Sequence, residues 1–423
     1  MRTDPRTTKR WLLIAIAAGL PCGSYADVLT DWNVTVTTLT PAAGKNPIEE
    51  SRIYAMLHAA THDALNAIKR RYQPYAFAGR TAWASPEAAV AAAAHAVLRA
   101  EIPSQQAALD SAYASSLSGI PGGSAKAKGI WVGRCAAAAI LRLRSNDGSS
   151  AVVPYTPGSS PGDWMPTPPA FVPAVLPGWG NVVPFTLKTG EQFRPAPPEY
   201  FDLTSEEYAN DYNEVKSIGA MSGPTRSNEQ SEIARFWYEG SPVGWNRIAR
   251  NVATREGLGL WDNARLFALL NLAMADGYIA GENVKFFYSF WRPVTAVRNG
   301  DTDGNPDTIP DPSWLPYLVT PPTPDFASTH SVLGAAAAEV LARFFGTDYV
   351  TFTTTSGAPF AGITRSFTSF SQAARENADS RVYAGIHFRS SCTEGVSLGT
   401  KIGRHTFVHY LRPVKRHGGG SDR

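Results

Sequence analysis

Cysteine is scarce in this chain of 423 residues, which holds only 3. Neither Cys135 nor Cys392 has a partner at zinc-ligand spacing, so no structural zinc site is written into the sequence. Charged residues make up only 18%. They form no basic stripe with interleaved aromatics, which argues against a nucleic-acid surface. There is no internal repeat of short period. Beyond one apolar run near the start there is no second hydrophobic span, so no integral membrane span is expected in the mature chain.

That first run reads as a secretory signal over residues 1–26. Arg2, Arg6, Lys9 and Arg10 make a basic start, Trp11 to Leu20 a short apolar stretch, and Ser24-Tyr25-Ala26 a small-residue cleavage site. The protein is therefore expected to be periplasmic or secreted. Removing the segment takes four basic and one acidic residue from totals of 39 and 36, leaving equal numbers of each sign. The basic pI of the whole chain thus carries no message about partners. An oxidising compartment would permit a Cys135–Cys392 disulfide, a pairing that spacing neither requires nor excludes.

What is present is mostly helical periodicity. In residues 48–69, Ile53, Met56, Leu57, Ala60, Ala64 and Ile68 recur at steps of three and four. Alanine-rich stretches at 86–101 and 124–144 have high helix propensity. Residues 149–200 break the pattern: too rich in proline for helix or central strand, too rich in aromatics for a free linker. Helices are expected again over 204–219, 227–238, 244–256, 261–291, His330 to Phe345, 370–384 and 392–411. The predicted fold is all-α, with two packed helical bundles. The expected organisation is a signal at 1–26, an N-terminal bundle at 27–148, an ordered Pro/Trp-rich connection at 149–203, a C-terminal bundle at 204–415, and a disordered tail at 416–423.

Three short segments in the last third carry the chemistry. The first, KFFYSFWRP, holds Lys285 and Arg292. On one helix a seven-residue spacing would point both cations the same way, among Phe286, Phe287, Phe290 and Trp291. Such a pair is costly unless an anion lies between them, although snorkelling surface cations are the bland reading. The second, DFASTHS, places Ser328, Thr329 and His330 at the start of a helix, where free amides and the dipole favour an anion. Ser328 or Thr329 could equally be an ordinary N-cap. The third, SRVYAGIH, holds Arg381 and His387; the Ala384-Gly385 step offers a break that could aim both at one point. His58 and His62 with Asp63 lack a third metal ligand in register. The acidic turn Asp301–Asp307 has its glycine misplaced for a calcium loop.

Together, in this order and spacing, the three segments resemble the signature shared by type 2 phosphatidic acid phosphatases and vanadium-dependent haloperoxidases. The segments RIYAMLHAATHDALNAI, WMPTPPAFVPAVLPGWGNVVPF, QFRPAPPEY and EQSEIARFW look like exported bacterial members of the haloperoxidase-like branch. The resemblance implies an all-helical fold and vanadate as cofactor. It implies that Lys285, Arg292 and Arg381 hold the equatorial oxygens, with hydrogen bonds added by Ser328 and the amide of Thr329. His330 would be the acid–base residue, and His387 would ligate vanadate or attack phosphate. Lys285 would help His330 activate peroxide.

Departures from the family pattern shape the expectation. Thr329 stands where the family usually has glycine, and Ser391 where many members carry an aspartate four residues after the last histidine. Thr323 occupies the position where chloride-oxidising relatives resemble Phe and bromide-oxidising ones His. Glu282 replaces a family Trp. The leading expectation is a peroxidase that oxidises iodide or bromide, rather than chloride, with hydrogen peroxide. The alternatives are a soluble exported acid phosphatase acting on a phosphoester through a phosphohistidine at His387, and a non-enzymatic anion-binding protein with a decayed site. The chain lacks the several membrane spans of the lipid phosphatases, so a soluble substrate is expected. Assembly as a homodimer is left open.

Overall fold

The structure, a computed structural model, describes residues 27–414; the expected signal and the tail at 416–423 lie outside the described residues. The N-terminal half contributes α1 (Val28–Ala42), α2 (Pro47–Ile68), α3 (Pro86–Glu101), α4 (Gln106–Ser118) and α5 (Ser124–Leu143). The C-terminal half contributes α6 (Glu206–Ile218), α7 (Asn228–Phe236), α8 (Ser241–Arg255), α9 (Leu260–Tyr288), α10 (Pro293–Arg298), α11 (Thr329–Phe345), α12 (Phe370–Tyr383) and α13 (Arg389–His409). The only sheet among the described residues is a two-stranded antiparallel hairpin. Its strands are β1 (Phe352–Thr355) and β2 (Thr364–Phe367), with Phe352 opposite Phe367. The fold is all-α, as expected.

Local chemistry explains where the helices start. Asp27 accepts the amide of Thr30 at 2.9 Å, and Asn46 with Glu49 forms a reciprocal capping box ahead of Pro47. Helix α1, rich in threonine and valine, is a poor helix former. The hydroxyls of Thr35, Thr37, Thr38 and Thr40 bond back to carbonyls four residues earlier, and Thr40 also meets the Tyr54 hydroxyl at 2.9 Å.

Helix α9 is the axis of the molecule. It is buried nearly all round from Asn263 to Lys285, as a helix surrounded by others must be. It packs on α2 on one side and on α11 on the other, so one continuous core runs through both halves. Beyond it, α13 lies close against α11 because Gly395, Gly399 and Gly403 face α11. A Cβ on Gly399 would fall 2.0 Å from the Val332 carbonyl oxygen.

The proline-rich segment is irregular but pinned. Asp276 of α9 accepts the amides of Phe185, Thr186 and Leu187 and the Thr186 hydroxyl. Further along, the Trp164 amide donates to Ser289 O at 2.7 Å, and the Trp291 amide to Gly162 O at 2.8 Å.

This pairing accompanies a correction. The single helix expected over 261–291 stops at Tyr288, where Ser289 turns left-handed with φ 51°. Arg292 is extended, as a residue before proline prefers, and Pro293 opens α10 instead of closing α9. Lys285 and Arg292 therefore do not share a helix face. Cys135 and Cys392 are both free thiols.

Candidate active site

Four chain segments meet at the end of α9. Lys285 comes from its last turn. Arg292 comes from the extended stretch before α10. Residues 323–330 form the loop and first turn of α11. Arg381 lies at the end of α12, and His387 follows in the link to α13. That link turns at Gly385, with φ +76°, whose Cα packs so tightly on Gly219 that a Cβ would meet the Gly219 carbonyl oxygen at 2.3 Å. Lys285, Arg292, Ser328, Arg381 and His387 are buried, whereas Thr329 and His330 keep partial exposure and form the side open to solvent.

Lys285 Nζ donates to the carbonyl oxygens of Pro324 at 2.6 Å and Asp325 at 2.9 Å. Arg292 donates from Nε to Thr323 O at 2.7 Å, from Nη2 to Thr323 Oγ1 at 3.2 Å, and from Nη1 to Ile386 O at 2.6 Å. The same Nη1 lies 2.9 Å from His387 Nε2. A guanidinium has no acceptor, so Nε2 must carry a lone pair and the ring proton must sit on Nδ1. Arg381 rests over the Tyr238 ring at 5.6 Å and donates to Trp237 O at 3.3 Å; its buried Nε has no partner.

Ser328 caps α11. Its Oγ accepts from the Ser331 amide at 3.5 Å and the Ser331 hydroxyl at 3.0 Å, which leaves its own O–H free to donate. The first-turn amides of Thr329 and His330 have no intrahelical carbonyl to use. His330 Nε2 faces the Glu239 carbonyl at 3.2 Å, so that nitrogen carries the proton and Nδ1 is the free acceptor.

Burial dominates the electrostatics. It lowers Arg292 and Arg381 to about 10, still charged at neutral pH. It also lowers Lys285, helped by Arg292, and raises the carboxyl of Glu282 one turn earlier. His387 is held well below its ordinary value by burial and then by Arg292. His330 retains some exposure, yet enough protein surrounds it, with Arg381 next in effect, to hold it low as well. Both imidazoles are neutral. Buried cations, an orphaned guanidinium N–H and two neutral imidazoles make a cage suited to a tetrahedral oxyanion.

The residues singled out from sequence thus come together, and two concerns about them resolve. The Thr329 methyl seats on Gly281 of α9, so its branch is accommodated. The carboxylate missing at Ser391 has a counterpart in Asp325. Its Oδ1 lies 2.8 Å from His387 Nδ1, and its Oδ2 accepts the Tyr200 hydroxyl at 3.4 Å. Contrary to the expectation drawn from Ser391, His387 therefore does have an orienting carboxyl, which burial pushes up to about 7 against the pull of Arg292 and Lys285. Sequence reasoning missed Asp325, Tyr200 and Glu239. Only Asp325 left a signal, as an acid inside an otherwise apolar DFA stretch of the second motif. His58, by contrast, is a core histidine bonded to Asn33, and no cluster suited to a metal ion occurs among the described residues.

Comparison with known proteins agrees with this geometry. Residues 265–416 match the family model of the VCPO second helical-bundle domain, the region that carries all three motifs. The vanadium chloroperoxidase of Curvularia inaequalis is 28% identical over 225 residues, 46% of this chain. The match spans 36% of that relative's length. A crystal structure described as the first bacterial vanadium-dependent iodoperoxidase aligns with TM-score 0.79 and 26% identity, covering 92% of this chain and 97% of that one. A holo-type bacterial vanadium-dependent chloroperoxidase shares the fold, with TM-score 0.70 at 18% identity over 92% and 94% of the two chains. The fold and site define an all-helical protein with a buried pocket whose donors suit an oxyanion. Within that class, residues 265–416 are similar to the vanadium chloroperoxidase second bundle, and nearly the whole chain is similar in fold to the bacterial iodoperoxidase.

Proposed function

We propose that the protein is an exported vanadate-dependent haloperoxidase that oxidises iodide or bromide with hydrogen peroxide. The observation that carries this is the juxtaposition of the His387 Nε2 lone pair with a buried cation cage in which Arg381 Nε is unpartnered. That donor set fits vanadate: His387 Nε2 would bind it, Lys285, Arg292 and Arg381 would hold its oxygens, and Ser328 Oγ and the Thr329 amide would donate to it. Bound vanadate supplies Lewis-acid activation of peroxide. The protein's own part is to neutralise charge, exclude water and move protons. His330 Nδ1, the free nitrogen on the open side, is placed to take and return a proton. Lys285 brings a cation, and its third N–H, to the same place.

The halide preference rests on Thr323. Its hydroxyl and carbonyl are both engaged by Arg292, so no ring from that position lines the site. The likeness to a bacterial iodoperoxidase over nearly the whole of both chains supports the same direction.

A second reading is favoured by one observation. Asp325 beside His387 Nδ1 supplies the carboxylate that a phosphohistidine mechanism needs. The test is one preparation of mature protein assayed with and without vanadate for iodide, bromide and phosphomonoester turnover. Vanadate-dependent oxidation of iodide or bromide is expected. Vanadate-inhibited phosphatase activity without halide oxidation would establish the second reading instead. Silence in every assay would favour an anion-binding protein.

A further inference from the structure

We infer that Asp325 is the positioning residue that holds His387 with its proton on Nδ1 and its lone pair on Nε2. Three observations converge on this. Asp325 is fully buried, and its Oδ1 has no hydrogen-bond partner of its own, although it sits 2.8 Å from His387 Nδ1. That approach is off the axis of the ring N–H, which leans toward Ser391 Oγ at 3.3 Å. Ser391 donates its proton to the Asp325 carbonyl at 3.1 Å, so toward the ring it presents only a lone pair. Both neighbours of Nδ1 are therefore acceptors. On the opposite edge, Arg292 donates to Nε2.

The loop is built to keep Asp325 there. Its amide donates to Phe290 O at 2.9 Å, its carbonyl takes Lys285 Nζ, and Tyr200 bonds its second oxygen. One residue thus links the cation from α9 with the imidazole preceding α13. Outer partners of this kind set the tautomer and aim of a ligating histidine, and losing them typically weakens metal affinity about 10–100-fold. The inference deepens the proposed function, since it matters to an oxyanion only if Nε2 faces one.

The test has a readout that needs no cofactor. Histidine-labelled full-length mature protein is examined by 15N NMR, with His387→Ala assigning the resonance. Wild type should show a neutral His387 protonated on Nδ1; protonation on Nε2 would overturn the inference without any variant of Asp325. Asp325→Asn should shift the ring toward the other tautomer and weaken orthovanadate binding, by calorimetry, about 10–100-fold. Ser391→Ala should change both less. An unmoved tautomer in Asp325→Asn would give the role to Arg292, and a larger shift in Ser391→Ala would give it to Ser391; either would overturn the inference. Absence of orthovanadate binding by wild type would count against the cofactor, while the ring spectra would still decide for or against Asp325.

Discussion

Gly281 and Thr329 are complementary across the crossing of α9 and α11: a Cβ on Gly281 would lie 2.7 Å from Thr329 Cγ2. The methyl that a family glycine would lack at 329 is received by a glycine on the facing helix. Gly281→Ala should therefore overpack the crossing and destabilise the protein by about 1–3 kcal/mol. Thr329→Ser removes the offending methyl and should restore most of that loss in the double variant. Urea unfolding of the four proteins in the cycle reads the coupling directly. Additive effects would mean that the two side chains do not meet.

Asp276 makes the connection at 180–190 part of the core. One carboxylate satisfies three amides and a hydroxyl, and Thr186 passes the chain of bonds on to Thr406 of α13. Asp276→Ala would leave four buried donors unmatched, for a loss of about 2–4 kcal/mol. Hydrogen exchange at Phe185, Thr186 and Leu187 should rise well before the helices of the core open. Exchange that stays as slow as in wild type would show that other contacts hold this segment.

Much of this architecture was legible because it is written locally. The start of α2 is announced by Asn46-Pro47 and Glu49, and the turn after Arg381 by Gly385. What was not legible depends on distant partners. The end of α9 is decided by Ser289 and Trp291 pairing with Gly162 and Trp164, more than a hundred residues away. Helix α4 buries only Leu109, so it leaves little apolar period to read. The same holds in the site. Cations at recognisable spacing could be named, but the carboxylate beside His387 could not. Asp325 reaches His387 through the folding of the loop before α11 onto the link before α13.

Glu50 makes a pH-dependent contribution far from these groups. Burial pushes its carboxyl up from 4.5 to about 7, with the Thr40 hydroxyl pulling it down and Glu49 pushing it further up. The folded state therefore favours the protonated acid. Its stabilising contribution is complete below about pH 4.5 and is lost as pH rises through about 7. A shift of this size corresponds to roughly 3 kcal/mol. Glu50→Gln should match wild type near pH 4 and exceed it by up to that amount at pH 8, other titrating groups being common to both. Urea midpoints across this range provide the check. A variant that parallels wild type at every pH would mean that Glu50 is charged in the fold.

His387 and His330 should separate cleanly when each is replaced by alanine. His387 is the fully enclosed imidazole of the site, and its Nε2 lone pair is fixed by an Arg292 donor that cannot reverse its role. Without it the cations remain, so an oxyanion can still be attracted but no longer bonded to protein. Orthovanadate affinity should collapse, and halide oxidation with it. His330 stands differently. Its Nε2 proton is committed to the Glu239 carbonyl, its free Nδ1 lies at the partly exposed edge, and it makes no bond to the guanidinium groups that would hold the anion. His330→Ala should leave orthovanadate affinity within a few-fold of wild type and reduce turnover by about 10²–10⁴-fold, the usual range for losing a positioned acid–base group. Calorimetry and steady-state iodide oxidation on the same preparations give the two readouts. Equal loss of affinity in both variants would assign His330 to binding, and full affinity in His387→Ala would remove that histidine from the anion altogether.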